Sequence, residues 1–197
     1  MAELIIPKKI FLLKKDPDNF RWIAPKFSQD GMMLVDKSID DRWFRSGGKP
    51  ISEKWKPIPI TAIVESKKDE LLPLPDYCDN YFPIFSSQAI DQLGEMLTEN
   101  GEVLDLVSDV GDYKAFNLLT TIDCLDENRS QVERFADGVR IKRVLKYEFD
   151  VDKIVDQTIF WTTSLSAEIF VTESFVHRCR SLKGFNFTPV YESVVSI

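Results

Sequence analysis

The side chains that most often carry catalysis are scarce or unsuitably placed in this sequence. His177 is the only histidine in the 197 residues, so a site with two histidine ligands or an H-E-x-x-H motif is impossible. Cys179 lies two residues beyond His177 on a predicted helix, where such positions point to different faces. Three widely spaced cysteines also argue against a disulfide framework or a Cys-x-x-Cys site. We therefore predict no catalytic residues, no metal site and no cofactor.

Carboxylates are the abundant reactive groups, and they are concentrated in one stretch. Residues 69–113 contain eleven acidic residues and no lysine or arginine, in a chain whose net charge is −7. A field of this sign repels nucleic acid and anionic membranes and attracts a basic partner. Two interpretations remain open: the stretch is a solvated face that keeps the protein soluble, or it is a docking surface.

Two alternative functions also remain open. Asp105, Asp109 and Asp112 could hold Mg²⁺ in a metal-dependent carboxylate enzyme, although their D-x-x-x-D-x-x-D spacing matches no calcium loop. The irregular segment 36–59, which contains Trp43 and Trp55, could instead make the protein contacts of an adaptor without catalysis.

One segment has the pattern of a well-capped helix. Ser86 is placed to cap a helix over residues 87–100, and apolar residues recur at helical spacing from Ala89 to Leu97. Gly101 is predicted to end the helix in a left-handed conformation. The opposite face is polar and contains no cation: Gln88, Asp91, Gln92, Glu95 and Glu99.

The other elements predict an α+β fold, a mostly antiparallel sheet with a few helices. A second helix is expected over 173–183, capped by Thr172 and ended by Gly184. Asp137-Gly138 between strand-like runs predicts a hairpin. Further strands are predicted by apolar, aromatic and β-branched runs at 9–14, 20–23, 113–126, 144–149, 158–163, 168–171 and 185–191. The first two are expected to form a hairpin or small sheet.

Proline-rich residues 71–83 suggest a boundary near residue 70. We predict a β-rich N-terminal subdomain over 1–70 with an irregular Trp-containing loop, packed as one unit with an α+β domain over 71–197. The sequence contains no apolar run long enough to span a bilayer, and its first residues are too charged for a signal peptide. The expected location is the cytoplasm.

Four blocks, taken in order and spacing, resemble a known family. They are FPIFSSQAIDQL followed by GEVLDL, then YKAFNLLTTIDCLD, then IFVTESFVHRCRSLKGFNFTPVY. Together they are similar to immunity protein eleven of bacterial polymorphic-toxin systems over about residues 70–191.

This resemblance implies a small non-catalytic cytoplasmic protein that neutralises a cognate toxin by binding it. Because of the acidic stretch, we expect neither a nucleic-acid nor a membrane partner. An acidic surface would suit a toxin with a basic active-site cleft. The predicted toxin contacts are Asp91, Glu95, Glu99, Asp105, Asp109, Asp112, Trp43 and Trp55.

Overall fold

The computed structural model describes residues 6–26 and 49–193. Within them the α-helices are α1 (Lys67–Leu71), α2 (Ser87–Asn100) and α3 (Glu173–Arg178). The strands are β1 (Lys9–Lys15), β2 (Trp22–Pro25), β3 (Ile58–Ile63), β4 (Tyr77–Cys78), β5 (Ile84–Ser86), β6 (Gly101–Ser108), β7 (Tyr113–Leu118), β8 (Thr121–Ile122), β9 (Gln131–Arg134), β10 (Ile141–Lys146), β11 (Ile159–Thr162), β12 (Leu165–Thr172) and β13 (Phe185–Glu192). None of the described helices is long and apolar enough to cross a membrane.

The described strands form three sheets, and the α+β class is confirmed in outline. A five-stranded sheet has the order β13-β1-β12-β11-β8, a six-stranded sheet has the order β2-β3-β6-β7-β5-β4, and β9 pairs with β10. Both larger sheets are mixed, because β11 pairs with β8 in parallel and β3 pairs with β6 in parallel. The expectation of a mostly antiparallel sheet is therefore only partly correct.

The five-stranded sheet has a hydrophobic core on each face. Side chains alternate between the faces of a strand, so Leu13 and Val171 face one core while Leu12 and Phe170 face the other. The first core also contains Ala89, Leu93 and Leu97 of α2 and Phe116 of β7, so it joins the five-stranded sheet to the six-stranded one. We call these the first and second cores. A third core, containing Ile23, Ile60 and Tyr113, belongs to the six-stranded sheet.

The N-terminal strands join different sheets. β1 pairs with β12 and β13, whereas β2 pairs with β3. The predicted hairpin of these two strands is wrong, because the Asp16–Phe20 turn redirects the chain instead of folding it back on β1. The predicted strand 113–126 is also divided between sheets, as β7 and β8. The division of the chain at residue 70 stays a prediction.

The first predicted helix is confirmed, but the reason for its closing glycine differs. The Ser86 hydroxyl accepts a hydrogen bond from the Ala89 amide at 3.1 Å, as expected of an N-cap. Gly101 is not left-handed, since its φ of −177° is extended and it begins β6. A Cβ there would lie 2.2 Å from the Asn117 carbonyl oxygen and 2.7 Å from the Phe116 ring. Glycine is therefore needed for the close approach of β6 to β7.

The second predicted helix is shorter than expected. α3 ends at Arg178 and is followed by a 3-10 turn over Cys179–Ser181, so the interval 173–183 is only partly helical. Gly184 does require a positive φ, +84°, but it lies beyond this turn, where the chain enters β13. The hairpin predicted around Asp137-Gly138 is confirmed as β9 and β10.

Candidate functional site

Three of the predicted contact residues form one exposed row on α2. Asp91, Glu95 and Glu99 recur every four residues, which places them on the same side of a helix. All three are exposed, while Ala89, Leu93 and Leu97 bury the opposite side. None of the three makes an ion pair with another described residue. We call these three residues the acidic ridge.

The polar face of α2 is narrower than the sequence suggests. Gln92 is half-buried, and its amide donates a hydrogen bond to the Arg178 carbonyl. Its amide oxygen accepts a hydrogen bond of 3.0 Å from the Ser181 hydroxyl. The turn after α3 therefore covers one side of the face and places exposed Arg178 and Arg180 near the helix. These two arginines lie outside residues 69–113, so the charge count of that stretch does not include them.

The other three predicted acids already have cationic partners. The Lys114 ammonium lies 3.0 Å from Asp105 and 3.7 Å from Asp112. The hydrogen bond with Asp105 raises the pKa of Lys114, and the Lys26 ammonium, 2.7 Å from Asp109, lowers the pKa of that carboxyl. Neither lysine belongs to residues 69–113, and pairing with them leaves this second group, Asp105, Asp109 and Asp112, less negative than the ridge.

Of the two tryptophans predicted as toxin contacts, only Trp55 lies in the described part of the chain. Trp55 is half-buried against the third core, and its indole N–H donates to the Asp105 carbonyl at 2.7 Å. These contacts fix Trp55 on β6 and place it beside the second acidic group. Trp43 lies outside the described residues.

Two carboxylates have structural roles that the sequence analysis missed. Glu102 accepts hydrogen bonds from the Ile51 amide at 2.8 Å, the Ser52 amide at 3.1 Å and the Asn117 side chain at 2.8 Å. Burial alone would raise the pKa of Glu102, but these hydrogen bonds outweigh it and the pKa is lowered. The sequence carries no signal for this role, because Glu102 and Ile51 are far apart in the chain.

Asp76 is the second of these carboxylates and is nearly buried. It accepts 2.6 Å and 2.8 Å hydrogen bonds from the Ser86 hydroxyl and the Lys183 amide. These bonds tie the start of α2 to the chain just before β13. Both oxygens of the Asp76 carboxylate accept a hydrogen bond, so Asp76 helps to position α2, which carries the acidic ridge.

Two features of the described residues bear on metal and small-molecule binding. No group of three or more His, Cys, Asp or Glu side chains among them could hold a metal ion. A cleft beside β2 and α1 has a volume of about 130 Å³, below the roughly 300–1,000 Å³ of typical ligand pockets. The Arg21 guanidinium lies in the wall of this cleft and donates hydrogen bonds to the carbonyls of Leu72 and Glu70.

Comparison with known proteins gives one family. No curated protein matches the chain at a significant level. Residues 105–192 match the model of the Immunity protein family (Imm11). The match includes Asp105, Asp109 and Asp112 and begins after α2, so the acidic ridge and the block FPIFSSQAIDQL lie outside it. The resemblance to immunity protein eleven is thus confirmed over residues 105–192, where the chain is similar to the Imm11 immunity protein family.

Proposed function

We propose that this protein is an immunity protein that neutralises a cognate bacterial toxin by direct binding, without catalysis and in the cytoplasm. The family match supports an immunity role.

The acidic ridge is the surface that we propose for the first encounter with the toxin. Its three carboxylates are exposed, share one face of a rigid helix and lack ion-pair partners within the described ranges. Exposed charges of one sign accelerate association with a surface of the opposite sign. The ridge therefore fits a toxin whose contact surface, such as an active-site cleft, is basic.

The direct test is binding and protection. The protein encoded by the adjacent gene is purified and titrated with this chain, and cells expressing it are scored for survival with and without this chain. We expect a one-to-one complex and survival only when both are present. Absence of binding and of protection would overturn the proposed function.

The contribution of the ridge is tested by the triple variant Asp91→Lys, Glu95→Lys and Glu99→Lys. Because reversed charge repels a basic surface, we expect association to slow about tenfold or more at low salt and the difference to shrink at high salt. Association and dissociation rates are measured by surface plasmon resonance at several salt concentrations.

The matched control is Asp18→Lys, Glu53→Lys and Glu70→Lys, which changes net charge equally at three exposed carboxylates away from α2. The control should retain most of the association rate. Equal slowing in both variants would show that only net charge matters and would remove the ridge from the interface.

A further inference from the structure

The β9–β10 hairpin exposes an unusual amount of apolar surface. Nine large hydrophobic residues are exposed among the described residues, and three of them lie on this hairpin: Phe135 at 45%, Val139 at 74% and Leu145 at 55%. Every residue from Arg134 to Arg140 is exposed, so the tip extends away from the cores. Single exposed apolar residues are common on protein surfaces, but clustering on one projecting element is typical of an interaction site.

The tip is held rigid by its own hydrogen bonds. The Asp137 carboxylate accepts from the Val139 amide at 2.9 Å, the Arg140 amide at 3.0 Å and the Arg140 guanidinium at 2.6 Å. The Gly138 amide donates to the Phe135 carbonyl at 2.9 Å, and Gly138 takes the positive φ of +68° that closes the turn. The conformation that exposes Val139 is therefore ordered before any partner arrives, which reduces the entropic cost of binding.

Two arginine side chains, Arg134 and Arg140, contact this tip. The Arg134 guanidinium donates to the Val139 carbonyl at 2.6 Å and pairs with Glu127. The Arg140 guanidinium lies 5.2 Å from the centre of the Phe135 ring, as in a cation–π contact. These contacts hold Val139 and Phe135 in place while both side chains remain exposed.

The charge of the hairpin is opposite to that of the whole protein. Residues 131–146 contain five Lys or Arg and two acids, in a chain of net charge −7. Four of these five cations are ion-paired: Arg134 with Glu127, Arg140 with Asp137, Arg143 with Glu133 and Lys146 with Glu148. Lys142 is exposed and has no ion-pair partner among the described residues. An apolar tip on a hairpin with one unpaired lysine complements an apolar recess with a carboxylate at its border.

The hairpin and the acidic ridge lie on opposite faces of the five-stranded sheet. Ile141 and Val144 pack against the second core, while α2 packs against the first. Both elements are hydrogen-bonded to chain segments next to β8, which lies at one end of that sheet. The Asn100 carbonyl at the end of α2 accepts hydrogen bonds from the amides of Leu119 and Thr120, immediately before β8. After β8, the Asp126 amide donates a hydrogen bond to the Glu148 carbonyl, just beyond the end of β10.

We propose that the β9–β10 hairpin is a second contact for the toxin, and that its tip inserts Val139 and Phe135 into an apolar recess with a carboxylate that faces Lys142. This inference rests on the proposed function for the identity of the partner. The two surfaces contribute to different rates. The exposed charges of the ridge affect the association rate, and the apolar tip, which becomes buried in the complex, affects the dissociation rate.

The test compares Val139→Asp with Val64→Asp, a matched change at another exposed valine, 45% accessible and just after β3. Each variant is titrated with the purified protein encoded by the adjacent gene. We expect Val139→Asp to weaken binding at least about tenfold through faster dissociation, as for a central contact, and Val64→Asp to bind like the unmodified chain. Both variants should melt like the unmodified protein, since neither valine is buried.

Hydrogen exchange of the unmodified complex provides a second measurement. Amides within residues 133–146 should be protected when the toxin is bound. Unchanged dissociation in Val139→Asp, or unchanged exchange in the hairpin, would overturn this inference while leaving the proposed function intact. Failure of the unmodified chain to bind would instead overturn the proposed function, and the hairpin contact with it.

Discussion

At the scale of single residues, the same residue type serves different physical needs. Gly101 and Gly184 are both predicted from the sequence as helix stops. Gly101 has an extended backbone and is required because β6 lies against the Asn117 carbonyl and the Phe116 ring. Gly184 has a φ of +84°, a conformation that L side chains rarely adopt. Sequence patterns identify such positions but not the constraint, because the constraint comes from residues distant in the chain.

Replacing Gly101 with alanine should destabilise the protein. The added Cβ would lie 2.2 Å from a backbone oxygen, so β6 and β7 must separate. We expect a loss of about 2 kcal/mol or more in the free energy of unfolding, measured by urea titration. Gly94→Ala is the control, because nothing lies within 4 Å of its Cβ. That change should stabilise α2 by about 0.5–1 kcal/mol. Equal stability of the two variants would contradict the packing described for Gly101.

The three thiols should be unreactive in the folded protein. Cys78, Cys124 and Cys179 are free and buried, and burial raises the pKa of Cys124 and Cys179 to about 12 and also raises the pKa of Cys78. Because the thiolate is the nucleophile, a chromogenic disulfide reagent at pH 8 should label no thiol in the native state and all three in urea. Rapid labelling of the folded chain would show that a thiol is accessible.

At the scale of elements, local signals were sufficient for α2 and for the β9–β10 hairpin. A serine cap and an apolar stripe predict α2, and Asp137-Gly138 predicts the turn, because in both cases the interacting residues are near one another in sequence. The same signals do not predict which part of the polar face is free. Gln92 is engaged by the turn after α3, and Lys26 and Lys114 pair with acids of the second group. The sequence thus predicts an acidic surface, and only the folded arrangement singles out the acidic ridge within it.

Glu102 should couple the segment 49–52 to β6 in a pH-dependent way. Its folded-state pKa lies below the reference value of 4.5, so its stabilisation is complete above that value and is lost as the pH falls through the folded pKa. In Glu102→Gln, an amide group would replace one acceptor oxygen and face the donors of Ile51, Ser52 or Asn117. We expect lower stability than the unmodified protein at pH 7 and a smaller difference near pH 3, measured by urea unfolding at both pH values.

Glu53→Gln is the control for this experiment, because Glu53 is exposed on the adjacent 3-10 turn. It should leave stability unchanged at both pH values. A constant difference between Glu102→Gln and the unmodified protein from pH 7 to pH 3 would show that the carboxylate charge has no part in holding the segment.

At the scale of the whole molecule, sheet membership was the feature that sequence reasoning could not supply. Strand patterns predict that β1, β2, β7 and β8 exist, but adjacent strands in the chain belong to different sheets. Pairing depends on which apolar faces meet. The shared first core, in which α2 lies between residues of both larger sheets, decides this through contacts between distant segments. The parallel pairs β3–β6 and β8–β11 were missed for the same reason.

The position of β1 also sets the order of events during synthesis. β1 lies between β12 and β13 and pairs Lys15 with Phe185. The first of the described strands to be synthesised therefore cannot pair until nearly the last of them has been made. At translation rates of 5–20 residues per second, that wait is roughly 10–35 s. Until then Ile10, Leu12 and Leu13 lack the strands against which they pack in the folded protein. For the proposed function, this order means that the protein has to be complete before a toxin arrives, because a chain whose synthesis begins at that moment is finished only after the delay.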